Sequence, residues 1–243
     1  MGKEYSTLKK SLCLCALVVQ NKVKHAAAIF WKDWRGEWRT RAGLNAIILF
    51  SVAAPIALSF SVARQVLEAE VLAGMLWTVL LFAALVGLPR AFMREEESGT
   101  ARLLRLHYSP DAVFWGKAFF NATLLLATQI AAVPVFMLLL NAPVEQPWLL
   151  LLALVLGDIG LAVASTLLGA VAAQARARGA LFAAISIPIL LPLLVAATSA
   201  TSAALQTSSF AAGSYWPAIQ IMAGYDVAMS AAAWLLFEYV WSA

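Results

Sequence analysis

Met93-Arg94-Glu95-Glu96-Glu97-Ser98-Gly99-Thr100-Ala101-Arg102 is a charged block between two long apolar runs, residues 71–88 before it and residues 113–140 after it. Each run reaches the roughly 20 residues that a helix needs to cross the hydrocarbon core of a bilayer. An ionised side chain at the centre of a bilayer costs about 2.5–3.5 kcal/mol or more. The block is therefore expected outside the lipid, as a short structured element at the membrane surface. A charged helix held there is placed to meet a partner.

Composition points the same way. The chain has 243 residues, of which 63% are hydrophobic and 12% charged, and its mean hydropathy is +0.83. Soluble domains carry about 25% charged residues, so a soluble globular protein is excluded. The net charge of +4 is not the footprint of a nucleic-acid binder, because the basic residues gather at membrane edges.

Hydropathy predicts an all-α chain with six spans, at residues 44–63, 71–89, 113–140, 148–173, 180–200 and 218–241. Residues 1–26 are expected as a cytoplasmic tail, and 27–243 as one transmembrane domain. The third run is long for one crossing, so it is expected to tilt or to extend past the lipid. Pro134, Pro188 and Pro192 fall inside spans, where each removes a backbone donor. Sixteen of the 17 Lys and Arg residues lie on one side of this six-span arrangement, and only Arg64 on the other. The positive-inside rule then puts both termini and the charged block in the cytoplasm.

Residues 27–41 read as an interfacial amphipathic helix. Phe30, Trp31, Trp34 and Trp38 recur at three- and four-residue spacing and share a face. Lys32, Asp33, Arg35, Arg39 and Arg41 occupy the rest. Trp favours the headgroup level and Lys and Arg favour anionic lipid. Such a helix either anchors the first span or forms an elbow towards a partner.

Trp31-Lys32-Asp33-Trp34-Arg35-Gly36-Glu37-Trp38-Arg39-Thr40-Arg41 resembles the opening of the haem exporter protein B family, CcmB, of cytochrome c maturation. Arg94-Glu95-Glu96-Glu97-Ser98-Gly99-Thr100, followed by Ser109-Pro110 and Gly116-Lys117, is similar to that family's cytoplasmic loop. Tyr225-Asp226-Val227 with Leu235-Leu236-Phe237-Glu238-Tyr239-Val240 is similar to its last span. The resemblance implies an ABC-2 type permease in the bacterial inner membrane. It implies a separate ATPase chain, CcmA, as the site of ATP, with CcmC, CcmD and the haem chaperone CcmE as further partners. It also implies a homodimer, and haem as the species exported or handled. Glu95, Glu96, Glu97, Gly99 and Thr100 would then couple the permease to its ATPase. Arg102 and Leu106-His107-Tyr108 depart from the family pattern.

The chain is expected to be no enzyme. It has no Gly-x-x-x-x-Gly-Lys-Ser/Thr loop, since Gly116-Lys117 is followed by Ala118 at the start of a span. No resident cofactor or metal is expected. His25 and His107 lie in predicted cytoplasmic segments and read as surface residues. Cys13 and Cys15 alone fall short of the four ligands of a zinc site. Asp158 and Asp226 fall inside spans, where acids face the bundle or water. Asp158 is expected as a hydrogen-bonded packing group, and Asp226 as a functional contact against other spans. Gly157, Gly160, Ala153 and Ala164 form a small-residue face for helix packing. Two other functions share these features: an ABC-2 permease for a lipid, polysaccharide or drug, and a non-transporting membrane scaffold. Neighbouring genes separate the first from a haem exporter, and vanadate-sensitive ATPase activity requiring this chain separates both transporters from the scaffold.

Overall fold

The computed structural model describes residues 22–62, 67–87, 92, 95, 99–173, 178–206 and 215–242, with side chains left out at 42, 178–183 and 242. Those residues are almost entirely helical, and no strand occurs among them. Helix α1 covers 22–40. It is followed by α2 (Ala42–Ser61), α3 (Ala69–Gly87), the short α4 (Ala101–His107), α5 (Pro110–Leu140), α6 (Pro147–Ala173), α7 (Arg178–Leu205) and α8 (Tyr215–Ser242). Six of them, α2, α3, α5, α6, α7 and α8, are long and apolar enough to cross a membrane.

Helix α6 is the centre of the bundle. It packs on α3, α5, α7 and α8, and it is apolar all round, as a buried helix must be. Its small residues admit its neighbours. Any Cβ at Gly157 would collide with the Trp77 ring of α3, and one at Gly160 would lie 2.5 Å from Asp226 Oδ1 of α8. Ala153 and Ala164 are fully buried.

Helix ends follow local chemistry. Helix α5 starts at Pro110, whose missing N–H costs nothing in a first turn. It runs for 31 residues, about 46 Å at about 1.5 Å per residue. The extra length puts its first turns at the charged end, beside α1. It ends on Asn141 in the left-handed conformation, φ 47°. Helix α7 continues to Leu205, past the expected end at Ala200. Two contacts extend it. Trp77 Nε1 donates to Thr201 Oγ1 at 2.9 Å, and the Ala204 carbonyl accepts the N–H groups of Glu145 and Gln146. Pro55, besides the three prolines expected, lies inside a span helix.

Candidate functional site

The charged end of the bundle holds a set of linked ions, of which Lys117, Asp33 and Glu95 are buried and Lys32 is exposed. Lys117 sits two turns into α5 and is fully buried. Its Nζ lies 2.8 Å from Glu95 Oε2 and 3.2 Å from Asp33 Oδ2 of α1. Lys32 pairs with the same two carboxylates, with Asp33 Oδ1 at 3.2 Å and with Glu95 Oε1. Cations and anions alternate, and the quartet is neutral. The Phe92 ring lies 4.6 Å from the Lys117 ammonium and covers it with a π-face. Burial alone pulls the Lys32 ammonium down, but the carboxylates of Asp33 and Glu95 outweigh it and hold the group above its ordinary 10.5.

The quartet ties three pieces of chain together: α1 through Lys32 and Asp33, the charged block through Glu95, and α5 through Lys117. A close helix approach supports it. A Cβ at Gly116 would stand 2.8 Å from the Ala26 carbonyl and 2.9 Å from Ile29 Cβ. Glycine there lets α1 lie directly on α5. Asp33, placed by the sequence pattern on the polar face of α1, is instead 2% exposed. Among the residues of the charged block, Glu95 points inward, and Glu96 and Glu97 lie outside the described residues.

The turn after Glu95 is set by Gly99, whose φ of +69° suits glycine. Thr100 Oγ1 donates to the Glu95 carbonyl at 3.4 Å. Thr100 then precedes α4, which starts at Ala101. Ala101 and Leu104 of α4 are buried, while Leu103 and Leu106 are 58% and 79% exposed. Arg102 and His107 stand on the same outer side. Arg105 folds back over the Trp241 ring of α8, 5.2 Å from its centroid. The helix therefore presents two leucines and a cation outward while resting on the bundle.

The aromatic face expected on α1 divides. Phe30, Trp34 and Trp38 stack in series, with ring centroids 6.1 and 5.9 Å apart. Trp31 is exposed and shares a shallow depression with Lys32 and Arg35. Arg39 is exposed, and Arg41 lies 5.6 Å from the Trp38 ring centroid. Arg41 takes φ 51° at the elbow into α2. Glu37 Oε1 accepts the Leu44 N–H at 2.8 Å and so caps α2 from the preceding helix.

Asp158 and Asp226 are both buried at mid-span of α6 and α8. Asp226 lies against Gly160, and neighbouring Tyr225 donates to the Ile189 carbonyl of α7 at 3.1 Å. Neither oxygen of Asp226 accepts a hydrogen bond from a described residue, nor does Asp158 Oδ1, for which a partner was expected. His25 meets Tyr108 edge-on, and His107 Nδ1 lies 3.0 Å from the Leu103 carbonyl. Cys13 and Cys15 lie outside the described residues. Among the described residues, no group of three or more His, Cys, Asp or Glu could hold a metal ion.

Sequence reasoning missed Lys117 and Asp33 as members of one site. The signal was present for Lys117: a lysine within an apolar run demands a partner. Which acid answered it depended on the fold.

Six membrane-length helices, with linked ions at their charged end, define a multi-pass helical membrane protein. The chain belongs to the CcmB protein family, whose family model matches residues 24–237. It is 26% identical over 181 residues to heme exporter protein B of Bradyrhizobium diazoefficiens, covering 74% of this chain and 82% of that protein. It is 28% identical over 170 residues to heme exporter protein B of Rhodobacter capsulatus, covering 69% and 78%.

Proposed function

We propose that this chain is the membrane-spanning subunit of a haem-exporter-type ABC transporter of cytochrome c biogenesis. It sits in the bacterial inner membrane with both termini in the cytoplasm and works as a homodimer. ATP is hydrolysed on a separate CcmA-type chain, and CcmC, CcmD and the haem chaperone CcmE complete the assembly. Haem is the species exported, or released with its chaperone, and no cofactor resides on this chain.

The ion quartet is the observation that carries the mechanism. The ATPase grips the outward leucines of α4, Leu103 and Leu106. Closure of the ATPase pair displaces α4 and the turn at Gly99 and Thr100. Glu95 passes that displacement through Lys117 to α5 and through Lys32 and Asp33 to α1. Glu96 and Glu97 contribute charge at the same contact.

The test separates grip from transmission. Replacing Leu103 and Leu106 together with Glu should abolish co-purification of the ATPase and cytochrome c maturation. Glu95→Gln should preserve co-purification but lower vanadate-sensitive ATPase stimulation and maturation. Unchanged ATPase binding in the double leucine variant, with normal maturation, would overturn the docking reading.

A further inference from the structure

Upstream of the quartet, α1 and the first turns of α5 enclose an open groove of about 440 Å³, closed on one side by Trp234 of α8. Its size is within the range of roughly 300–1,000 Å³ typical of ligand sites. Its wall is aromatic, formed by Phe30, Trp115, Phe119 and Trp234. Phe119 and Trp234 are 60% and 64% exposed on span helices, so the groove opens sideways, where the spans face lipid. Its mouth is an ion pair, Lys22 Nζ to Asp111 Oδ2 at 2.6 Å, with side chains 50% and 34% exposed.

We propose that this groove binds a phospholipid whose headgroup carries both a phosphate and an ammonium, that is, phosphatidylethanolamine. The wall offers hydrocarbon and ring faces with almost no polar groups. An acyl chain needs no more, whereas a peptide backbone would bring polar groups left without partners. The mouth offers one cation and one anion, both accessible. A phosphate placed on Lys22 and an ammonium placed on Asp111 match this pair charge for charge. A purely anionic headgroup would meet the Asp111 carboxylate, and a choline headgroup has no N–H to give it. Trp115 and Trp234 stand where indole rings favour the boundary between headgroups and chains. The bound lipid would wedge α1 against α5.

The full chain, purified in detergent, would be incubated with equal amounts of phosphatidylethanolamine, phosphatidylglycerol and phosphatidylcholine. After removal of excess lipid, native mass spectrometry reads what stays bound. One phosphatidylethanolamine per chain should be retained, about threefold over the other two, the scale of a partly exposed ion contact. Asp111→Lys should shift the preference to phosphatidylglycerol, and Asp111→Lys combined with Lys22→Asp should restore it. Trp234→Ser should lower retention of all three lipids without changing their order. These positions are partly or largely exposed, and size-exclusion profiles check that the variants fold. A lipid order unaltered by Asp111→Lys would overturn the proposal and mark the retained lipid as annular. So would a bound peptide that phosphatidylethanolamine cannot displace.

Discussion

Lys117 shows how one side chain commits three segments. It has no exposed surface, so among the described residues its charge is answered by Glu95 and Asp33, under the Phe92 ring. Removing one partner of a buried ion pair leaves the other charge stranded, at about 3–5 kcal/mol. Lys117→Met is therefore predicted to lower thermal stability in detergent sharply. Adding Glu95→Gln and Asp33→Asn to Lys117→Met should recover much of the loss, because no charge then remains unpaired. Equal destabilisation in the triple variant would mean that the ions matter for shape alone. Lys32 gives a pH prediction. Its folded-state value is raised above 10.5. Its contribution is thus complete below the unfolded value and is lost as pH climbs through the folded one. Stability should fall above about pH 10.5 for this reason, and Lys32→Gln should be less stable at neutral pH with a shallower alkaline fall. A melting series across pH checks both. The sequence separates Asp33, Glu95 and Lys117 by tens of residues, and nothing local says that they meet. Charge counting could mark them as membrane-edge groups, but pairing required the crossing of α1 over α5.

Two elements set that crossing, and each can be tested. At Gly116 an added methyl group would meet the Ala26 carbonyl, a backbone atom that cannot swing aside. Gly116→Ala should therefore push α1 off α5 at about 1–3 kcal/mol. Labelling of Ile29→Cys, buried against Gly116 in the parent background, should become fast in the Gly116→Ala variant. Unchanged protection would show that α1 is held from elsewhere. At the elbow, Glu37→Ala removes the acceptor of the Leu44 N–H and should cost about 1 kcal/mol, as loss of a helix cap does. Faster limited proteolysis between α1 and α2 would report it. The span helices themselves were legible, because 20-residue apolar runs admit little else. Their ends were less so. Helix α7 gains Thr201 to Leu205 from Trp77 and from the loop after α5, and α4 starts only after the Gly99 turn. Those contacts link residues distant in sequence, so hydropathy alone cannot see them.

At the scale of the molecule, the ion quartet, the α1 elbow and the exposed leucines of α4 all gather at one end of the bundle. The opposite end holds the α5–α6 loop, where Glu145 and Gln146 bond the end of α7. Sixteen of 17 basic residues belong to the first end by sequence, and translocation retains such segments in the cytoplasm. The orientation is therefore a prediction that bears on every functional statement above. If the leucines of α4 faced the periplasm, no ATPase could reach them. The measurement is cysteine accessibility in intact cells, in a background with Cys13 and Cys15 changed to Ser. Val144→Cys lies in the α5–α6 loop and is 37% exposed. It should react with a membrane-impermeant maleimide added outside once the outer membrane is permeabilised. Leu106→Cys should react only after the inner membrane is opened. Labelling of Leu106→Cys from outside in sealed spheroplasts would invert the molecule and remove the proposed ATPase contact. Failure of both sites to label until the inner membrane is opened would instead deny the three crossings on either side of Val144 that put it on the face opposite both termini.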